Sequence, residues 1–234
     1  MTEHHNTRRL AEPQDAPDDR RFADVRERVV EACRYLAGAG LSPGSSGNVS
    51  VRVGDQVLIT PTGSALRRAR PEELAQVTLA GRSLTSSGPS VASGGVPSKE
   101  LGVHLAVYRR RPEVRAVVHL HSPYATACAC LVPDDDGFAQ LPPLTPYRVM
   151  RLGDVPVAPY ARPGTRELAD GIERLAAEHQ VILMANHGSV VAGESLDAAV
   201  ELAEELEAVA QLTLLLRDRP HAQLTQDQTV ALRK

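Results

Sequence analysis

Residues 114 to 121, VRAVVHLH, are centred on consecutive apolar side chains at 116–118, and a short run of this kind reads as a strand buried within a sheet. A second run, VILMA at 181–185, reads the same way. Helices to cover such strands are legible around them. Val25, Val29, Cys33 and Leu36 recur at helical spacing between Phe22 and Ala39, with Gly38 and Gly40 as stops. Leu101, Leu105 and Tyr108 line a helix that Ser98 can cap and Pro112 ends, and another runs from about Thr165 to Glu178. Leu196, Val200, Ala203, Leu206 and Ala210 stay in register through a long amphipathic helix over 196–216. Val49, Val51 and Val53 alternate, Gly54 and Asp55 turn the chain, and Val57 and Ile59 resume, which is a hairpin pattern. RPEELAQV predicts a short helix with Pro71 in its first turn, and residues 155–158 a short strand. Hairpins beside helical crossovers predict one α/β domain, a three-layer α/β/α fold with a mainly antiparallel central sheet.

Composition narrows the function. Lys and Arg total 26 against 29 Asp and Glu, and only 3% of residues are aromatic, so neither a basic nucleic-acid footprint nor a base-stacking platform is present. No apolar run approaches the roughly 20 residues that span a bilayer, and the opening residues lack an apolar signal region. Cys33, Cys128 and Cys130 form an odd set without a CxxC pair, which reads as reduced thiols in a cytoplasmic protein, with the last two as small buried hydrophobes. Residues 1–20 are polar and proline-containing, expected to be a disordered extension ahead of a domain over 21–234, and GPSVASGG at 88–95 is expected to be a mobile loop. A small-molecule ligand is the default expectation, with no nucleic acid and no membrane as partners.

His119 and His121 lie two apart on a strand and so project to one face, where two imidazoles can grip one ion. Alone, HxH equally describes a hydrogen-bonded pair in a core. Further ligands shift the balance: Glu100 lies at the start of the helix that leads into this strand, and His187 follows the buried VILMA run in the loop NHGS. Glutamate with three histidines suits zinc or another divalent transition ion. His104, one turn along from Glu100, is a competing candidate that reads better as a packing or supporting group, while His179 and His221 read as surface residues. SSGNVS at 45–50, TPTGS at 60–64 and PSKE at 97–100 offer turn N–H groups and hydroxyls that suit an anion, although each alone is an ordinary turn.

The ordered set GNVSVR, TPTG, PSKE, HLHS and NHG, followed by a long acidic amphipathic helix, resembles the class II aldolase and adducin-head family from about Phe22 to Arg217. This is the family of L-fuculose-phosphate aldolase and L-ribulose-phosphate 4-epimerase. The resemblance implies a homotetramer with active sites near subunit interfaces and one divalent metal per subunit. Zinc is the first expectation, with manganese, cobalt or iron as alternatives. His119, His121 and His187 match the metal ligands, and Glu100 a ligand or acid/base. Gly47, Asn48, Thr62, Gly63, Ser98 and its neighbour Lys99 match the phosphate site. Tyr147 falls where aldolases place a proton-donating tyrosine, and Tyr124 is a second such position that packing explains better.

Lys99 stands where the aldolases of this family tend to have a small residue, and PSKE with HLHSPYATA resembles most closely the 3-oxo-tetronate 4-phosphate decarboxylase branch. That branch implies loss of carbon dioxide to give dihydroxyacetone phosphate through a metal-stabilised enediolate. The alternatives are retro-aldol cleavage of a sugar phosphate such as L-fuculose 1-phosphate, 4-epimerisation of a pentulose phosphate, and, from a different class, a non-catalytic adducin-like assembly module.

Overall fold

Alternate side chains of one central strand belong to two different cores. In a computed structural model describing residues 18–84 and 94–233, strand β4 (Ala116–Leu120) sends Ala116, Val118 and Leu120 to one side of the sheet and Val117 to the other. The remaining strands are β1 (Asn48–Val53), β2 (Gln56–Ile59), β3 (Ala75–Thr78), β5 (Val157–Ala158), β6 (Val181–Met184) and β7 (Gly188–Gly193). Their order is β3-β2-β1-β4-β7-β6-β5, and only β5 and β6 pair in parallel. Helices α1 (Asp18–Gly38), α3 (Pro123–Ala129) and α5 (Leu196–Leu216) pack on one face. The other is covered by α2 (Leu101–Arg110) and α4 (Arg166–Leu175). A short α6 (Gln226–Leu232) follows α5. The expected three-layer α/β/α arrangement with a mainly antiparallel sheet is therefore present. The apolar runs of β4, interrupted only by His119, and of β6 occur because both faces of these strands are buried.

Several local expectations need correction. RPEELAQV forms a single 3₁₀ turn over Pro71–Glu73 and then strand β3, where Ala75 and Val77 are buried while Gln76 and Thr78 are not, the two-residue period of a strand. Ser98 does not cap α2: Glu100 occupies that position, and the Ser98 hydroxyl accepts from the Glu100 N–H at 3.3 Å in the preceding turn. Cys130 is exposed, unlike Cys33 and Cys128, because it lies just past the end of α3. Helix α1 begins at Asp18, within the last three residues of the expected extension. The rest of that extension, residues 1–17, and residues 88–93 of the expected mobile loop lie outside the described residues.

Helix α3 is short and begins at Pro123 without a side-chain cap from Ser122. Glu207, buried on α5, supplies the missing acceptor: its carboxylate takes hydrogen bonds from the N–H groups of Tyr124 at 2.9 Å and Ala125 at 2.8 Å. Glu207→Ala leaves both donors unpaired beside the segment that carries His121. We expect it to lower stability by about 2–3 kcal/mol, the scale of hydrogen bonds to a charged group. Urea unfolding at fixed protein concentration checks this; a midpoint equal to that of the parent protein rejects it.

Candidate metal centre

Antiparallel pairing brings the start of β1, the end of β4 and the turn between β6 and β7 to the same end of the sheet. Asn48 pairs with His119 across β1 and β4, and Leu120 with Ser189 across β4 and β7. His187 sits in the β6–β7 turn, held by its own N–H to the Met184 carbonyl (3.0 Å) and by the Asn186 N–H to the Ala129 carbonyl (3.0 Å). Asn186 adopts φ 56, a left-handed conformation that asparagine tolerates better than most residues. Gly188 follows by necessity, since a Cβ there would lie 2.3 Å from the Leu120 carbonyl oxygen. Gly47 has φ +80 and sits where a Cβ would come within 2.9 Å of the His119 carbonyl oxygen.

At this end of the sheet Glu100, His119, His121 and His187 meet, with one potential ligand atom from each lying within 4.8 Å of the others. Ring centroids are 4.8 Å apart for His119 and His121, 5.0 Å for His119 and His187, and 4.8 Å for His121 and His187, an almost equilateral triangle. His119 Nε2 is 3.0 Å from both His121 Nε2 and Glu100 Oε2, and His187 Nε2 is 3.2 Å from Glu100 Oε1. The His119 Nδ1–H donates to the Ser189 carbonyl at 2.8 Å, which fixes the tautomer and leaves a lone pair on Nε2. Burial, reinforced by the neighbouring histidines, pushes His121 down to about 4, so at neutral pH it too offers a lone pair. Burial would raise the Glu100 carboxyl, but the adjacent His119 and His187 outweigh it and hold the group well below the usual carboxylate range.

Two buried atoms here, Glu100 Oε1 and His187 Nδ1, have no hydrogen-bond partner. Lone pairs converging in a buried place without enough donors form a set that a divalent cation satisfies, and three imidazoles with one carboxylate are the donors zinc-type ions favour.

The expected phosphate residues lie beside this group on three adjoining segments. Thr60 joins β1, its hydroxyl accepting from the Val49 N–H and its own N–H donating to the Val49 carbonyl, both at 3.1 Å. Pro61 bridges to Pro97, and the Thr62 N–H donates to the Val96 carbonyl at 2.9 Å, which sets the Thr62–Gly63 turn next to Ser98 and Lys99. Ser98 is buried, and Gly63 and Lys99 are exposed. The Asn48 amide is committed elsewhere, donating to Glu100 Oε2 at 3.1 Å and accepting from His104. Tyr147 is 60% exposed at the start of a one-turn π-helix (Arg148–Leu152) that packs on α5, and it joins neither the histidine group nor the three turns. The sequence motifs left out Ser50, which hydrogen-bonds with His104, and Tyr108, which hydrogen-bonds with Ser50, although Asn48 with Ser50 (two apart) and Glu100, His104 with Tyr108 (four apart) are recognisable stripes.

Residues 27–214 match the family Class II Aldolase and Adducin N-terminal domain, and the chain belongs to it. Within that family it is 44% identical to 3-oxo-tetronate 4-phosphate decarboxylase of Escherichia coli O6:H1, over 91% of this chain and 98% of the relative. Further relatives of that name are 38–43% identical. The crystal structure of YgbL from Escherichia coli superposes with a TM-score of 0.84 at 42% identity, covering 91% of this chain and 99% of that one. L-fuculose phosphate aldolase of Haemophilus influenzae is 34% identical over 83% of this chain and 84% of its own length.

Proposed function

We propose that this protein is a metal-dependent carbon–carbon lyase that decarboxylates a 3-oxo-tetronate 4-phosphate to dihydroxyacetone phosphate and carbon dioxide. What carries the reading is the meeting of three histidines and a glutamate at one point in a chain whose relatives at 38–44% identity are named for this reaction. Bound by Glu100, His119, His121 and His187, one divalent ion per subunit, zinc first and manganese, cobalt or iron as alternatives, supplies positive charge that stabilises negative charge developing on substrate oxygens.

The chain's own groups do the rest. Gly47, Thr62, Gly63, Ser98 and Lys99 bind the phosphate, whose binding energy positions the reacting carbons, while the side chain of Asn48, the sixth residue expected there, is taken up by Glu100 and His104. The bond between the carboxyl carbon and C2 breaks, its electron pair moves into the enediolate over C2 and C3, and a proton added at C2 completes the product. Once substrate displaces it from the ion, Glu100 is the group we assign to that proton, which it would take from solvent and pass to C2, with Tyr147 the alternative. Residues 21–234 form the catalytic domain. Exposed Tyr147, Met150 and Tyr160 support assembly into a homotetramer with active sites near subunit interfaces, where Tyr147 would meet substrate. A cytoplasmic location fits the three free cysteines, and no helix among the described residues is long and apolar enough to cross a membrane.

The second reading, retro-aldol cleavage of a sugar phosphate, is favoured by the 34% identical aldolase. A panel of four-, five- and six-carbon sugar and sugar-acid phosphates separates the two: carbon dioxide release supports decarboxylation, and aldehyde release alone rejects it. Lys99 gives a sharper test. An exposed amine beside Ser98 suits a substrate with a carboxylate as well as a phosphate. Lys99→Ser is expected to lower decarboxylation about 10- to 100-fold, the scale of one charged hydrogen bond, and any aldol cleavage much less. Equal losses in the two assays would remove this role.

A further inference from the structure

Behind the histidine group, α2 and β1 face each other along two polar stripes. Glu100, His104 and Tyr108 follow one another at four-residue spacing along α2, and Asn48 and Ser50 project from β1 at two-residue spacing. They interlock as one string. The Asn48 amide donates to Glu100 Oε2 at 3.1 Å and accepts from His104 Nε2; His104 Nδ1 is 2.7 Å from the Ser50 hydroxyl; and the Tyr108 hydroxyl shares its one proton between the Ser50 hydroxyl oxygen at 2.8 Å and the Ser50 carbonyl at 3.1 Å. Ser50 and His104 are 0% exposed, Tyr108 2% and Asn48 4%.

The string has one consistent direction, set by its charged end. A carboxylate only accepts, so the Asn48 edge facing it must be the NH₂. The Asn48 oxygen then faces His104 and needs a donor, which places the His104 proton on Nε2 and leaves Nδ1 to accept from the Ser50 O–H. Burial pushes His104 down to about 3, consistent with a neutral ring that carries one proton only. Each member thereby fixes the orientation of the next. At the end of the string Oε2 of Glu100 is held by Asn48 and lies 3.0 Å from His119 Nε2, whereas Oε1 faces His187 Nε2 at 3.2 Å.

We propose that His104 is a positioning residue for Glu100, acting through Asn48: the string holds the carboxylate by Oε2 and thereby keeps Oε1 turned toward His187 and the histidine group. The inference rests on the reading of Glu100 as a member of the metal and proton-handling group. It also redirects the Asn48 side chain from phosphate binding to support of Glu100.

The test uses full-length protein, with zinc affinity of the stripped protein measured by chelator competition and kcat and KM measured after reloading. His104→Phe fills the space without the donor and is expected to weaken zinc binding and lower kcat, each about 10- to 100-fold, with KM nearly unchanged. His104→Gln, whose amide N–H can take the place of Nε2–H, should recover most of both. On an Asn48→Ala background, His104→Phe should add less than about threefold, because the two side chains act in series. Should His104→Phe fail to fold, Ser50→Ala decides, with losses in the same direction that also vanish on the Asn48→Ala background. Independent, additive losses, or variants that bind zinc and turn over like the parent, would overturn the string alone. A parent protein that binds no zinc would overturn the reading beneath it.

Discussion

His119→Ala is expected to yield a folded protein that retains no metal and whose kcat/KM falls by at least about 1,000-fold, more than the loss of a supporting group would cost. His119 is the hub of the group. Its Nε2 lies 3.0 Å from His121 Nε2 and from Glu100 Oε2, and its Nδ1 is tied to the Ser189 carbonyl, so its removal takes away one ligand and the contact that orders two others. Metal content by elemental analysis, alongside circular dichroism to verify folding, reads the result. A metal-free variant with full activity would refute the role.

Glu100→Gln keeps the shape of the side chain and removes its ability to hold a proton. Its kcat should fall by about 100- to 10,000-fold, the range for losing a positioned acid or base. KM should change little, since Gln keeps the shape of the side chain and leaves the neighbouring Ser98 and Lys99 in place. Turnover in deuterium oxide adds an independent readout: the parent enzyme should place deuterium at the new hydroxymethyl carbon on one face, and the variant should lose that preference. A variant with kcat within about tenfold of the parent and intact stereochemistry would transfer the proton to Tyr147.

Much of this was legible in the chain because it depends on local patterns. The apolar runs at 116–118 and 181–184 became the doubly covered strands, the Gly54–Asp55 hairpin formed in register, and the helix over 196–216 has the expected bounds. His119, His121, His187 and Glu100 stood out because each sits at an element end. What failed to show depends on partners distant in sequence. The β3 strand in RPEELAQV exists because β2 offers it an edge, which overrides the helical signal of Pro71 and the two glutamates. Glu207 looked like one acid among many on α5, and only the fold reveals the helix start it caps. The fate of Asn48, turned toward Glu100 and His104, follows from β1 facing α2, which no local motif records.

The most direct test of the whole account supplies a 3-oxo-tetronate 4-phosphate to protein stripped by a chelator and then reloaded with one equivalent of zinc or manganese per chain. Carbon dioxide and dihydroxyacetone phosphate should appear in equal amounts with the reloaded protein and not with the stripped one. Carbon dioxide release unaffected by stripping, or none from folded, reloaded protein with any of the candidate metals, would contradict it.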